Sequence, residues 1–345
     1  MLPANLASRP MGMGGMNISD NTLDAARERL TGGPTGAPAC IADARYFDPS
    51  RFWRFEINGV RVGWVRHDDV ARLARWPGYF AFVPGRRAID GGAEPTRGAD
   101  EGGAVFDNTQ GAGVVMLAPS LADEPARTRA LGEVIATLRD DGRITGWRDE
   151  IFAIRNTFDD PPLAFIERAA SRFFGTMTYA VHVNGVQGTL ADEAGMSMWI
   201  ARRSNAKAVD PGRLDNLVGG GIPWGCSIAE ALVKECWEES GIAAALAATA
   251  TPGGILHVLT EIDQGVQAEQ LFVFDLALPY DFVPHAEDGE VAEHLHVTLA
   301  DVLLAIARGE MTMDASIATL DCALRRGWIT AQHAMGFGAL YSAPL

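Results

Sequence analysis

At 345 residues, with 48% apolar and 21% charged side chains, the chain is long enough for two domains that each bury a core. Its formal net charge of −15 disfavours nucleic acid and acidic membranes as partners, so an anionic ligand would need a local basic patch or a metal ion. Cys40, Cys226, Cys236 and Cys322 have no paired spacing and read as reduced thiols of a cytoplasmic protein. No apolar run reaches membrane-spanning length, and no basic-then-apolar leader opens the chain.

Residues 1–36 are expected to be an extension, disordered to about residue 18 and helical over Asn21–Leu30 until Gly32-Gly33-Pro34 stops it. Residues 37–174 read as an α/β domain. Its clearest local signal is Asn58-Gly59, a two-residue hairpin turn between Arg51–Ile57 and Val60–Arg66. A short helix from Asp68 and a glycine- and charge-rich surface loop over 85–112 follow. A strand at Gly113–Ala118, an amphipathic helix at Asp123–Asp140, a strand near Trp147–Thr157 and a helix at Pro162–Phe173 complete the unit. From residue 175 strands dominate: Met177–Val183, an Asn184-Gly185 turn, then Met196–Arg202, Ile255–Ile262, Gln270–Leu278 and Leu295–Val297. Helices at Leu299–Arg308 and Asp314–Arg326 close this second domain near residue 333, and 334–345 form a tail.

Between those strands lies the stretch that carries chemistry. Gly219-Gly220-Gly221-Ile222-Pro223-Trp224-Gly225 is a loop that lets backbone approach a ligand closely. Ser227 and Glu230 have capping-box spacing, and Gly241 suits a helix C-terminus. The intervening helix carries Glu235, Glu238 and Glu239 on one side, beside an apolar stripe of Ala229, Leu232, Val233 and Cys236. Clustered carboxylates repel one another unless a hard cation lies between them; alternatively Lys234 pairs with Glu238 on a solvated face.

Glycine, then Lys234-Glu235-Cys236-Trp237-Glu238-Glu239-Ser240-Gly241-Ile242, resembles the Nudix hydrolase signature. Two positions depart from it: Cys226 stands at the first glutamate and Lys234 at the arginine. The resemblance implies an α/β class, with the N-terminal α/β domain followed by a Nudix α/β/α sandwich with a mixed sheet. Further segments, among them Tyr179–Gly185, Trp199–Ser204 with Lys207, Pro211–Asn216 and Asp288–Val291, resemble Nudix proteins related to the N-terminal half of fungal thiamine pyrophosphokinases. That subfamily implies metal-dependent hydrolysis of thiamine diphosphate, or its oxidised oxo and oxy analogues, to the monophosphate.

The resemblance implies Mg²⁺ or Mn²⁺ on Glu235, Glu238 and Glu239 with the Gly219 carbonyl, and Glu235 or Glu290 as the proton acceptor. Arg202, Arg203 and Lys207 are candidates for phosphate oxygens, although on a strand the two arginines face opposite ways, so one at most points inward. His182 and Trp224 are candidates for the substrate ring, and Arg168 for a contact from the first domain. The expected partner is a small diphosphate, with neither nucleic acid nor membrane; a homodimer is left open. A nucleoside diphosphate derivative as substrate, and a non-catalytic Nudix-fold binding module, remain the alternatives. No P-loop, GxGxxG spacing or zinc cluster competes.

Overall fold

A computed structural model describes residues 22–32, 36–85, 113–189, 195–207, 209–287 and 289–343. The expected disorder of residues 1–18 and nearly all of the 85–112 loop lie outside that set.

Helices α1 (Leu23–Leu30) and α2 (Ala39–Asp43) come first, and the Thr22 hydroxyl caps α1. Strands β1 (Phe52–Ile57) and β2 (Val60–Arg66) form the expected hairpin, with Asn58 and Gly59 both at positive φ, 51° and 74°. After α3 (His67–Leu73) come β3 (Phe80–Val83) and β4 (Val114–Leu117), giving a four-stranded sheet of order β2-β1-β4-β3 in which β1 and β4 run parallel. Helix α4 (Glu124–Asp140) lays Leu131, Val134, Ile135 and Leu138 into its core.

The helix expected at Pro162–Phe173 is half strand. β5 (Ile151–Ile154) pairs antiparallel with β6 (Ala164–Glu167), which alternates Ala164 and Ile166 into the core. The Glu167 carboxylate then accepts from the Ala169 amide and starts α5 (Arg168–Phe174).

The second unit holds β7 (Met177–Gln187), β8 (Ser197–Arg203), β9 (Leu214–Asp215), β10 (Val218–Gly221), α6 (Ile228–Ser240), α7 (Ala244–Ala247), β11 (Thr251–Ile262), β12 (Gly265–Ala277), β13 (Val291–Thr298), α8 (Leu299–Ala307) and α9 (Met313–Arg325). The sheet order is β11-β12-β7-β8-β13, with β10 on β7 and β9 on β8; β7 and β12 are parallel and the other pairs antiparallel. Asn184-Gly185 is no turn: β7 runs straight through it. The Asn184 amide donates to Asp275 and to the Ala318 carbonyl, and Gly185 leaves room for Leu217. Alternation along β7 sends Val181 and Val183 to the α6 side and Ala180 to the α8–α9 side. The expected α/β/α layering with a mixed sheet is what results.

The two ends of the described chain also reach this second unit. Ala26 and Leu30 of α1, Cys40 and Ile41 of α2, and Phe337 and Leu340 share one core with α8 and α9. The Ala44 and Tyr46 carbonyls accept from the Leu259 and Glu261 amides of β11.

Helix α5 is the wedge between the units. A Cβ on Gly63 of β2 would lie 2.2 Å from the Phe174 carbonyl oxygen, and one on Gly265 equally close to that of Arg172. These are backbone collisions that no rotamer relieves. We expect Gly63→Ala to cost about 2–4 kcal/mol of stability, read as a drop in melting temperature by circular dichroism.

Candidate active site

Helix α6 forms as its caps dictate. Ser227 and Glu230 exchange reciprocal hydrogen bonds at its start, and Gly241 closes it at φ 63°. Its buried stripe is Ala231, Leu232 and Cys236, whereas Ala229, expected in that stripe, is exposed. Helix α6 therefore turns Glu235 and Glu239, one turn apart, towards the glycines of β10. Glu238 stays a third exposed and is held by Lys234 at 2.5 Å, with Lys234 also 3.0 Å from Glu235. The Ser240 hydroxyl donates to the Leu217 carbonyl at 2.8 Å and ties the helix end to the strand entering β10.

Glu239 is buried, accepts from the Gly219 amide at 2.8 Å and lies 3.7 Å from the Lys207 ammonium. Burial pushes its carboxyl up to about 8, against the pull of Lys207 and the Gly219 amide. Burial also raises Glu235, which Lys234 only partly offsets. Glu290 behaves oppositely: burial opposes its ionisation, but the Lys207 hydrogen bond and the Arg148 and Arg168 charges hold it below the usual carboxylate range. Lys207 thus joins Glu239 to Glu290 across the site.

Glu235, Glu238, Glu290, Lys207 and Lys234 border a cavity of about 570 Å³, a size suited to a small-molecule ligand, with Glu239 buried behind them. Its floor is β10 with Ala180 and His182 of β7, and its opposite wall comes from the first unit through Arg148, Glu150, Arg168 and Arg172. Arg168 pairs with Glu150 at 2.9 Å and lies over Gly221, where a Cβ would come within 3.3 Å of its guanidinium. Arg203 lines the cavity and donates to Asp215 at 2.7 Å.

Two candidates are placed elsewhere. Arg202 projects from the opposite face of β8, 2.5 Å from Glu293, as strand alternation requires. Trp224 lies outside the cavity, its ring against Phe165 and beneath the Arg155 guanidinium, because its amide is tied to the Ile151 carbonyl. His182 does line the cavity, with Nδ1 committed to Asn216 at 2.9 Å. Arg148, Arg172, Gln267, Glu269 and Asp314 line it too. They come from elements far apart in the chain, and no local spacing marks them.

Among the described residues no three histidine, cysteine or acidic side chains already converge as a coordination sphere; Lys207 and Lys234 engage the carboxylates instead. The donor set nonetheless suits a hard divalent cation: two carboxylates at unfavourable burial, beside a strand whose Gly220 has no side chain to separate them from the backbone.

Residues 182–319 match the NUDIX domain family, and residues 39–178 match DUF4743, a domain of unknown function. The chain is similar to Nudix hydrolase 24, chloroplastic, of Arabidopsis thaliana, 38% identical over 226 residues, 65% of this chain and 61% of that protein. Nudix hydrolase 20, chloroplastic, of the same plant is 38% identical over 231 residues, 66% of this chain and 60% of that one. Uncharacterized protein YJR142W of Saccharomyces cerevisiae is 27% identical over 202 residues, 55% and 58% of the two chains. This chain therefore spans about three fifths of the curated relatives it matches.

Proposed function

Residues 182–319 are a Nudix domain joined to an N-terminal DUF4743 region, and from that premise we propose that the chain hydrolyses a small-molecule diphosphate, with thiamine diphosphate or its oxidised analogues as substrate. The observation that carries the hydrolytic part is the pairing of half-buried Glu235 and fully buried Glu239 with the glycine strand beside a cavity that also holds arginines and lysines. Burying carboxylates is costly, and a site that only bound an anion would gain nothing from them. The thiamine part rests on the sequence resemblance.

Mg²⁺ or Mn²⁺ would be held by Glu235 and Glu239, with Glu238 and the Gly219 carbonyl able to complete the set. When bound, it neutralises phosphate charge and acidifies a water. Arg203, Lys207 and Arg168 supply the remaining positive charge to the diphosphate oxygens, and their convergence on one cavity orients it. Glu290, held ionised by Lys207, is the candidate to accept the proton of the attacking water. Lys207 would deliver that glutamate and a phosphate contact from one position.

The decisive experiment measures phosphate release from thiamine diphosphate and its oxo and oxy analogues, with and without Mg²⁺. No release from these or from nucleotide-sugar and dinucleotide panels, with the protein folded, would leave a binding module instead. The arginines give a sharper expectation. Arg203→Ala should lower kcat/KM on the order of tenfold or more, while Arg202→Ala stays within about threefold, both assayed after melting curves confirm folding.

A further inference from the structure

Beyond the glutamates and Lys207, the cavity has a second polar region that the hydrolytic reading does not use. Gln267 and Glu269 of β12 and Asp314 near the start of α9 line it. The Gln267 amide nitrogen donates to Glu269 at 2.8 Å and to Asp314 Oδ2 at 3.1 Å, so one amide joins two carboxylates. Asp314 Oδ1 is shut off from solvent and has no hydrogen-bond partner among the described residues.

A smaller hollow of about 50 Å³ adjoins it, sharing Gln267, Glu269, Arg168, Arg172 and Gly221 with the main cavity. Room of that size takes an exocyclic group or a few waters, not a ring. Two hydroxyls line it, Ser171 and Thr176, each on a residue only 2% exposed, and neither oxygen has a partner among the described residues. Buried polar atoms are ordinarily satisfied. Three unsatisfied ones around two connected hollows mark a place where an outside molecule completes the bonding.

The bonding they offer is two-sided. Asp314 and Glu269 accept hydrogen bonds, whereas Ser171, Thr176 and the neighbouring arginines can donate them. A ring edge with an amino group next to a ring nitrogen matches both: its N–H groups face the carboxylates and its ring nitrogen faces a hydroxyl. A carbonyl–imide edge, as in uracil, would set its two oxygens against carboxylates. We propose that Ser171, Thr176, Gln267, Glu269 and Asp314 form a subsite for the non-phosphate end of the substrate, and that it takes an amino-substituted nitrogen heterocycle. Burial, and after it the charge of Glu269, raises the Asp314 carboxyl above the usual range, and a bound N–H donor would relieve that cost.

This subsite rests on the diphosphatase reading for its place beside the glutamates, yet it can be tested apart from hydrolysis. Thiamine, which has an aminopyrimidine and no phosphate, is titrated calorimetrically into the full chain and into Asp314→Asn and Glu269→Gln. Ser171→Ala, which removes a hydroxyl with no internal partner, keeps the test open if an acidic variant fails to fold. We expect wild type to bind, and the folded variants to bind at least tenfold more weakly. The same variants should raise KM for thiamine diphosphate at least tenfold more than KM for ethyl diphosphate, which has no ring. Equal effects on the two substrates, undiminished thiamine binding in the variants, or no binding of thiamine by wild type would each overturn the subsite. Asp314-dependent thiamine binding without hydrolysis of any thiamine compound would overturn the substrate reading and leave the subsite standing.

Discussion

Glu239→Gln should abolish diphosphate hydrolysis and, in the absence of divalent metal, make the protein more stable. Glutamine keeps the acceptor for the Gly219 amide and nearly the same volume, so the fold has no reason to change. It loses the charge needed to hold a cation, and a metal's contribution of several kcal/mol to transition-state stabilisation corresponds to roughly a thousandfold or more in rate. The stability gain follows from proton linkage. The folded-state carboxyl titrates at about 8 against an ordinary 4.5, so across that window the folded protein binds the proton that the unfolded chain has released. Stability therefore falls as pH rises from about 4.5 and levels off above about 8, a loss on the order of a few kcal/mol. The variant lacks that loss. Melting curves in chelator should nearly coincide at pH 4.5 and separate by several degrees at pH 8, the variant higher. Equal curves at pH 8 would mean that Glu239 is not under the strain its burial implies.

Gly220→Ala is expected to separate function from fold in the other direction. Its Cβ would fall 2.2 Å from the Glu235 carboxyl carbon and 2.3 Å from Oε2, inside van der Waals contact. The obstacle is the far end of a side chain, so Glu235 can swing away and the helix can stay. Displacing a reacting group by about an ångström costs on the order of a hundredfold in rate. We expect kcat/KM to fall by that amount with a change in melting temperature of no more than a few degrees. The contrast with Gly63→Ala is informative, because there the obstacle is a carbonyl of the backbone. Activity retained in Gly220→Ala would remove Glu235 from the reacting assembly.

Signals confined to a few residues were the ones legible in the sequence. Asn58-Gly59 set its hairpin, and Ser227, Glu230 and Gly241 bounded their helix, because each acts on its own backbone. The same dipeptide failed at Asn184-Gly185. There side-chain bonds to Asp275 and the Ala318 carbonyl, both remote in sequence, keep the backbone extended. Pro162–Phe173 misled for a related reason: its second half is helix, and the alternation of Ala164 and Ile166 that marks β6 as strand is too short to show without its partner β5. In the site, spacing put Glu235 and Glu239 on one helix face but left open which way that face turned, and Ala231 rather than Ala229 settles it. Strand alternation limited the two arginines to one inward pointer without saying which. The Lys207 bridge to Glu290, and the Glu269–Gln267–Asp314 group, exist only once the chain is folded.

The second unit is discontinuous along the chain. Its α8–α9 layer is finished by α1 and α2, and the amides of β11 donate to the Ala44 and Tyr46 carbonyls, all of which precede the first sheet in the chain. Ala26, Leu30 and Ile41 find their partners in α8 and α9, the last α-helices of the described chain, so their contacts are among the longest in sequence separation. The first sheet, by contrast, draws on neighbours that emerge together. The topology therefore makes the core behind α8 and α9 a product of both ends of the described chain, whereas the cavity is lined by residues between Arg148 and Asp314 alone.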